Sequence, residues 1–295
     1  MVFPAVSGRL GKGAMTMTPG NYLEHAAEFF HSKWMHIAER TPGGKRYFTT
    51  YEQLIPRALK APRFLLPEEG VVLSRDVTHL QAPVRLPYPC VVLEFLWDAH
   101  ATIIVAEEAT PYGLPGAPDE PCIAVYGFDQ YAVPEIQTRI WAPRYVMLWI
   151  HLSGHPVDQN GHVRITPFDL ATEAPLSQDE YKKWGGEGQA AFSVLSLIQA
   201  LQCCNVTTET IHPSEALNKK RIRNNKLPFV EYKILTLTRN RYDSASQGGH
   251  HASPRQHLRR GHIRRLADTR TVWVSQCVVG NSNKGVIVKD YQVNA

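Results

Sequence analysis

"CVVLEFLW" (residues 90–97) is a short, dense run of aliphatic and aromatic residues. Its length and its β-branched and aromatic content mark it as a strand. Similar runs follow at "ATIIVAEE" (101–108) and "CIAVYGFD" (122–129). A further run, "RYVMLWIHL" (144–152), ends at the polar turn "SGHPVDQNGH" before "VRIT" resumes. The series predicts a meander or small antiparallel sheet, with the Pro- and Gly-rich stretch 110–121 as a connector.

Helical spacing brackets these runs. In "PGNYLEHAAEFFHSKWMHIAER" (19–40) the positions Tyr22, Ala26, Phe30, Trp34 and Ile37 share a face. Thr18 or Asn21 is placed to cap that helix, and Pro42 with Gly43 to close it. A second helical stretch, "YEQLIPRALKA" (51–61), is interrupted by Pro56. A third is expected from about Ser177 to Gln202, with "GGEG" (185–188) as its break. Beyond it, "LNKKRIRNNK" (217–226) reads as a basic loop, followed by a strand over 229–238 and by strand-like runs at 271–279 and 285–293. The fold class expected is α+β. A mixed or antiparallel sheet packed with helices occupies residues 1–205, and a basic C-terminal antiparallel β unit occupies residues 206–295.

The totals narrow the function. A chain of 295 residues with 43% hydrophobic and 20% charged residues is ordinary for a folded protein, which argues against a disordered one. The opening "MVFPAVSGRLGKGAMTM" lacks the apolar core of a secretion signal, and "AAFSVLSLIQALQCC" (190–204) is too short and too polar to span a bilayer. Cys90, Cys122, Cys203, Cys204 and Cys277 form no CxxC pair, which disfavours a zinc ribbon or disulfide scaffold. The expectation is a cytoplasmic protein with no membrane partner, no cofactor and no metal.

Charge is unevenly spread. From Ile211 onward 16 Lys and Arg face 5 Asp and Glu, a balance of +11, against −6 for the preceding residues and +5 overall. A basic third of this kind is the electrostatic footprint of an RNA or ribosome contact. The candidates are Lys219, Lys220, Arg221 and Arg223 in the first cluster, and Arg255, Arg259, Arg260, His262, Arg264 and Arg265 in "SPRQHLRRGHIRRL" (253–266). Read as one strand, residues 257–264 carry charge on both faces, so neither is a clean core face.

Four histidines, His250, His251, His257 and His262, leave three readings open. As zinc ligands they lack a closed set with sensible spacing. As general acid and base, His257 and His262 beside arginines would suffice for a metal-independent ribonuclease, because the RNA 2′-hydroxyl supplies the nucleophile. As binding groups they would donate hydrogen bonds or stack. "GRLGKGAMT" (8–16) lacks the spacing of a phosphate-binding loop. Adjacent carboxylates such as Glu107 and Glu108 point to opposite strand faces and cannot easily share an ion. Trp97, Tyr126, Trp141 and Trp149 lie in or beside the strand runs. They are core candidates or, alternatively, the lining of a groove for a peptide.

Three segments, "LPYPCVVLEF" (86–95), "LNKKRIRNNKLPFVEYKIL" (217–235) and "SPRQHLRRGHIRRL" with "VWVSQCVV" (272–279), together resemble the second family of anti-CRISPR proteins directed against the type V-A system. The resemblance covers the middle and last third of the chain. It departs from the family pattern at Ile263 and Arg264, where a Trp-His pair is expected, and in continuing past Val279. It implies a phage- or mobile-element-encoded inhibitor in the bacterial host cytoplasm. Such an inhibitor recognises the N-terminal peptide of a nascent target protein on the ribosome and triggers loss of its mRNA; the first expectation taken from this is a non-enzymatic adaptor, with degradation done by host nucleases. No catalytic residue carries over. The competing expectations are the ribonuclease and a duplex-DNA-binding regulator.

Overall fold

A computed structural model describes residues 21–34, 44–72, 84–97, 100–109, 121–133, 138–144, 146–152, 163–177, 179–180, 188–237, 255–259, 262–266, 270–274, 277–279 and 281–287. The predicted meander is present and forms the middle of a larger sheet. The strands are β1 (Arg63–Leu65), β2 (Cys90–Trp97), β3 (His100–Ala109), β4 (Cys122–Val133), β5 (Thr138–Pro143), β6 (Val146–His151), β7 (Ile165–Asp169), β8 (Ala174–Pro175), β9 (Val206–Ile211) and β10 (Tyr232–Leu237). Their order is β8-β7-β6-β4-β3-β2-β1-β10-β9, with β5 continuing the line of β6 along the same side of β4. The sheet is mixed: β1 runs parallel to both β2 and β10, and the other ladders are antiparallel. The fold is therefore α+β.

Alternation along β2 sends Val92 to one face and Val91, Leu93 and Phe95 to the other, and helices cover both. The first face packs against α1 (Tyr22–Phe29), the π-helical turn Phe30–Trp34 that continues it, and α2 (Gly44–Ala58). The second packs against α3 (Gly188–Gln202) through Ala190, Ala191, Val194, Leu197 and Ile198. Aromatic hydroxyls and an indole join the helices to β4, to β5 and to Arg144 just after it. Tyr51 donates to the Gly127 and Arg144 carbonyls (3.0 and 2.9 Å), Tyr47 to Pro143 (2.7 Å) and Trp34 Nε1 to Trp141 (2.8 Å). The interruption expected at Pro56 does not occur: Pro56 lies inside α2, in its last turn, where its missing N–H costs the helix one backbone hydrogen bond.

Three expectations need correction. Asn21 is not a side-chain cap for α1: it adopts a left-handed conformation (φ 50°), and its amide bridges instead to the 228–230 backbone. The first amides of the helix, on Tyr22 and Leu23, donate to the carboxylate of Glu94 on β2 (3.3 and 3.2 Å). Next, the sheet does not stop at residue 205, because β9 and β10 extend it past that point. What lies outside this sheet is β11 (Arg255–Arg259), β12 (His262–Arg265), β13 (Thr271–Val274), β14 (Cys277–Val279) and β15 (Asn281–Ile287). Finally, that C-terminal part is not uniformly antiparallel: β12–β13 and β11–β14 are, but β11 and β15 run parallel.

Glu94 is fully buried and receives the Tyr232 hydroxyl (2.6 Å), with the Arg63 guanidinium 3.6 Å away. Burial, more than any neighbour, pushes its carboxyl above the usual range. The folded chain thus holds the Glu94 proton more tightly than the unfolded chain. Its contribution to stability is complete below the ordinary value of 4.5 and is lost as pH rises through the raised folded value. Urea unfolding at stepped pH should show the wild type losing stability relative to Glu94→Gln as pH rises from that point. Tyr232→Phe, which removes one donor from the buried carboxylate, should cost about 1–3 kcal/mol.

Candidate polyanion-binding surface

Between β9 and β10 the chain leaves the sheet, forms α4 (Glu215–Arg223) and returns. This is the segment that reads as a basic loop, and the correction has a physical cause. α4 buries none of its residues, so it shows no apolar stripe. It is held at its ends and by side-chain clasps. Ser214 Oγ accepts from the Leu217 amide (3.5 Å), and the C-terminal turn closes through Lys226 N to the Arg221 carbonyl (2.9 Å) with Asn225 left-handed. The side chain of Asn218 both donates to the Phe229 carbonyl (2.9 Å) and accepts from its amide (2.8 Å). Arg221 Nε donates to Leu227 O (2.6 Å), and the guanidinium lies 4.0 Å from the centroid of the Phe229 ring.

These clasps sort the four cations of the first cluster. Arg221 is half-buried and committed to the hairpin itself. Lys219, Lys220 and Arg223 are exposed, as is Lys226 in the turn. Of these, Lys219 alone makes an ion pair among the described residues, with Glu215 at 3.7 Å, an exposed pair of little strength. Cations in the last turn also suit the negative end of the helix dipole. Two aliphatic side chains, Leu217 and Ile222, are exposed beside them at 44% and 59%. A cleft of about 650 Å³ separates the end of this hairpin from α1.

The second basic cluster is split. Arg255, His257 and Arg259 lie on β11, where His257 pairs with Val279. His262, Arg264 and Arg265 lie on β12, where His262 pairs with Val274. The two strands belong to different sheets, so the single strand expected over 257–264 does not form. Arg264 is exposed. Arg260, Gly261, His250 and His251 lie outside the described residues. The β12–β13 hairpin is fastened to the end of α3 by Asn205, whose side chain accepts from Trp273 N and donates to Trp273 O (both 2.8 Å). Cys204 N donates to Thr271 O (2.9 Å) beside it.

The aromatic candidates for a peptide groove are largely core. Tyr126 and Trp149 are each 1% exposed and Trp141 5%, all packed with α1 and α2. They offer no face to a peptide. Trp97, at the end of β2, is half-buried against the opposite core. Burial pushes the Cys90 thiol up to about 12 and that of Cys203 up to about 11, so neither is an activated nucleophile. Among the described residues no group of three or more His, Cys, Asp or Glu could hold a metal ion, and no helix is long and apolar enough to cross a membrane.

Compared with family models, curated proteins and solved structures, the chain matches none. The surface must be understood from its own chemistry. If Asn218 holds α4, Asn218→Ala should raise amide hydrogen exchange across 215–223 by about tenfold, since the loss of two hydrogen bonds is worth on the order of 1–2 kcal/mol. Exchange in β2 to β4 should not change.

Proposed function

We propose that the protein is a non-enzymatic adaptor that contacts RNA, alone or on the ribosome, through α4 and its turn. One observation carries this reading. Lys219, Lys220, Arg223 and Lys226 stand exposed on a helix that buries nothing and its closing turn, and among the described residues their only ion pair is the weak one between Lys219 and Glu215. A helix with no packing role, clasped so that its cations face outward, is suited to gripping phosphates. Arg264 on β12 adds a further exposed cation.

The wider role follows the sequence resemblance: an anti-CRISPR-like inhibitor, encoded by a phage or mobile element, that recognises the N-terminal segment of a nascent target protein. The target is the type V-A nuclease or another host protein, and recognition triggers loss of the message through host nucleases in the bacterial cytoplasm. Polyanion contact by α4 supports the ribosome- or message-facing half of that role. The peptide-facing half draws on the resemblance alone, since Tyr126, Trp141 and Trp149 are taken up by the core. The ribonuclease alternative asks for His257 and His262 to act on one phosphate, and they belong to strands of different sheets.

The test is binding of labelled single-stranded RNA by the full chain, titrated with salt in the presence of chelator. Affinity should fall steeply between about 50 and about 200 mM salt, and the RNA should stay intact. The triple variant Lys219→Ala, Lys220→Ala, Arg223→Ala should weaken binding at least about tenfold and flatten the logarithmic salt slope by about 2, near 0.7 for each phosphate that is no longer neutralised. Salt-insensitive binding, or an unchanged triple variant, overturns the assignment to α4. Cleavage in chelator that His262→Ala abolishes favours the ribonuclease.

A further inference from the structure

A helix that only attracts phosphate has no use for bare aliphatic surface among its cations, yet Ile222 on α4 is 59% exposed. Ile222 helps to line the cleft of about 650 Å³, together with Leu227, Pro228 and Lys226 from the turn and with His25 and Glu28 from α1. That size lies within the roughly 300–1,000 Å³ usual for ligand sites. Among the described residues the side chains of His25, Glu28 and Lys226 have no hydrogen-bond or ion-pair partner. The walls are positioned by long-range bonds: Asn21, at the start of α1, is tied to Pro228 O and Val230 N on the opposite side.

We infer that this cleft takes one unpaired base of a single-stranded RNA, with guanine preferred. The inference rests on the RNA-contacting reading and names the substrate class for it. The imidazole of His25 offers a ring for a base to stack on, and Ile222 and Leu227 add apolar contact in the same cleft. A duplex hides those faces, so the strand is single. Lys226 and the neighbouring Lys219, Lys220 and Arg223 serve the phosphates before and after the base.

Glu28 decides the base. A carboxylate in a phosphate-binding surface repels the backbone, and it is useful only towards a ligand with donors to offer. Guanine presents two adjacent N–H groups, N1 and N2, on its pairing edge, which match the two oxygens of one carboxylate. Adenine, cytosine and uracil present no such pair. An acidic peptide would meet the same cations but would be turned away by Glu28.

The experiment measures anisotropy of labelled oligouridines carrying one central G, A or C, with the full chain at fixed salt. The G strand should bind about tenfold more tightly than the A strand, as a bidentate contact implies. Glu28→Gln should cut that preference below about twofold while leaving affinity for plain oligouridine unchanged or higher, because a negative charge has gone. Ile222→Ser should weaken every strand by about threefold or more. Both positions are exposed, and unchanged thermal unfolding confirms intact variants. Wild-type binding that is salt-dependent but blind to the base, or a G preference that survives Glu28→Gln, overturns the base site and leaves the RNA reading in place. No binding to any RNA, with capture of an acidic peptide instead, overturns both.

Discussion

The carboxylate of Glu94 sits at the point where α1, β1, β2 and β10 meet. Burying it without partners would cost several kcal/mol, so the position exists only because donors converge on it from distant parts of the chain. Two come from the first turn of α1, one from Tyr232 on β10, and Arg63 on β1 faces it at 3.6 Å. Arg63 is shared, since it also grips Glu24 at 2.6 Å. Burial holds the Glu94 proton; the Tyr232 hydroxyl and the Arg63 guanidinium act against it, and the Glu24 carboxylate offsets part of the Arg63 effect. Because one side chain joins both parallel ladders to the helix above them, the strands that extend the sheet beyond the central meander and the α1 wall of the cleft depend on it together.

Asparagine does comparable work at three further joints, one of them buried. Asn21, Asn205 and Asn218 each offer one donor and one acceptor to a backbone far away or across a hairpin. A side-chain amide reproduces the peptide group, so it completes a ladder at a single position without a strand. In this way α4 and the β12–β13 hairpin are fixed although α4 buries no side chain. A segment held so keeps all but its Asn218 and Arg221 side open to solvent. That is why the exposed cations and the exposed Ile222 occur on the same nine-residue helix.

Charge and packing divide the labour between the two ends of the chain. The aromatic residues of the meander, Tyr126, Trp141 and Trp149 among them, fill the space under α1 and α2, and they give rigidity instead of a groove. The first basic cluster lies on α4, which leaves the margin of the sheet between β9 and β10 and buries none of its residues. On α4 it is Asn218 and Arg221 that anchor the helix, and Lys219, Lys220 and Arg223 are left exposed.

The strands over 90–97, 101–108, 122–129 and 144–152 were readable because each is a dense apolar run, and such a run is a local property. The basic character of the last third was readable for the same reason, but the place of Tyr232 in the core was not. Composition could not show that 215–223 is a helix, since that helix relies on caps and on hydrogen bonds between residues eleven apart. Nor could it separate core aromatics from groove aromatics, because both are apolar in sequence and differ only in what packs above them. The place of β10 beside β1, the buried setting of Glu94 and the meeting of Glu28 with Ile222 across a cleft were decided by tertiary structure. Each depends on groups more than a hundred residues apart, and no periodicity or spacing within one segment encodes such a pairing.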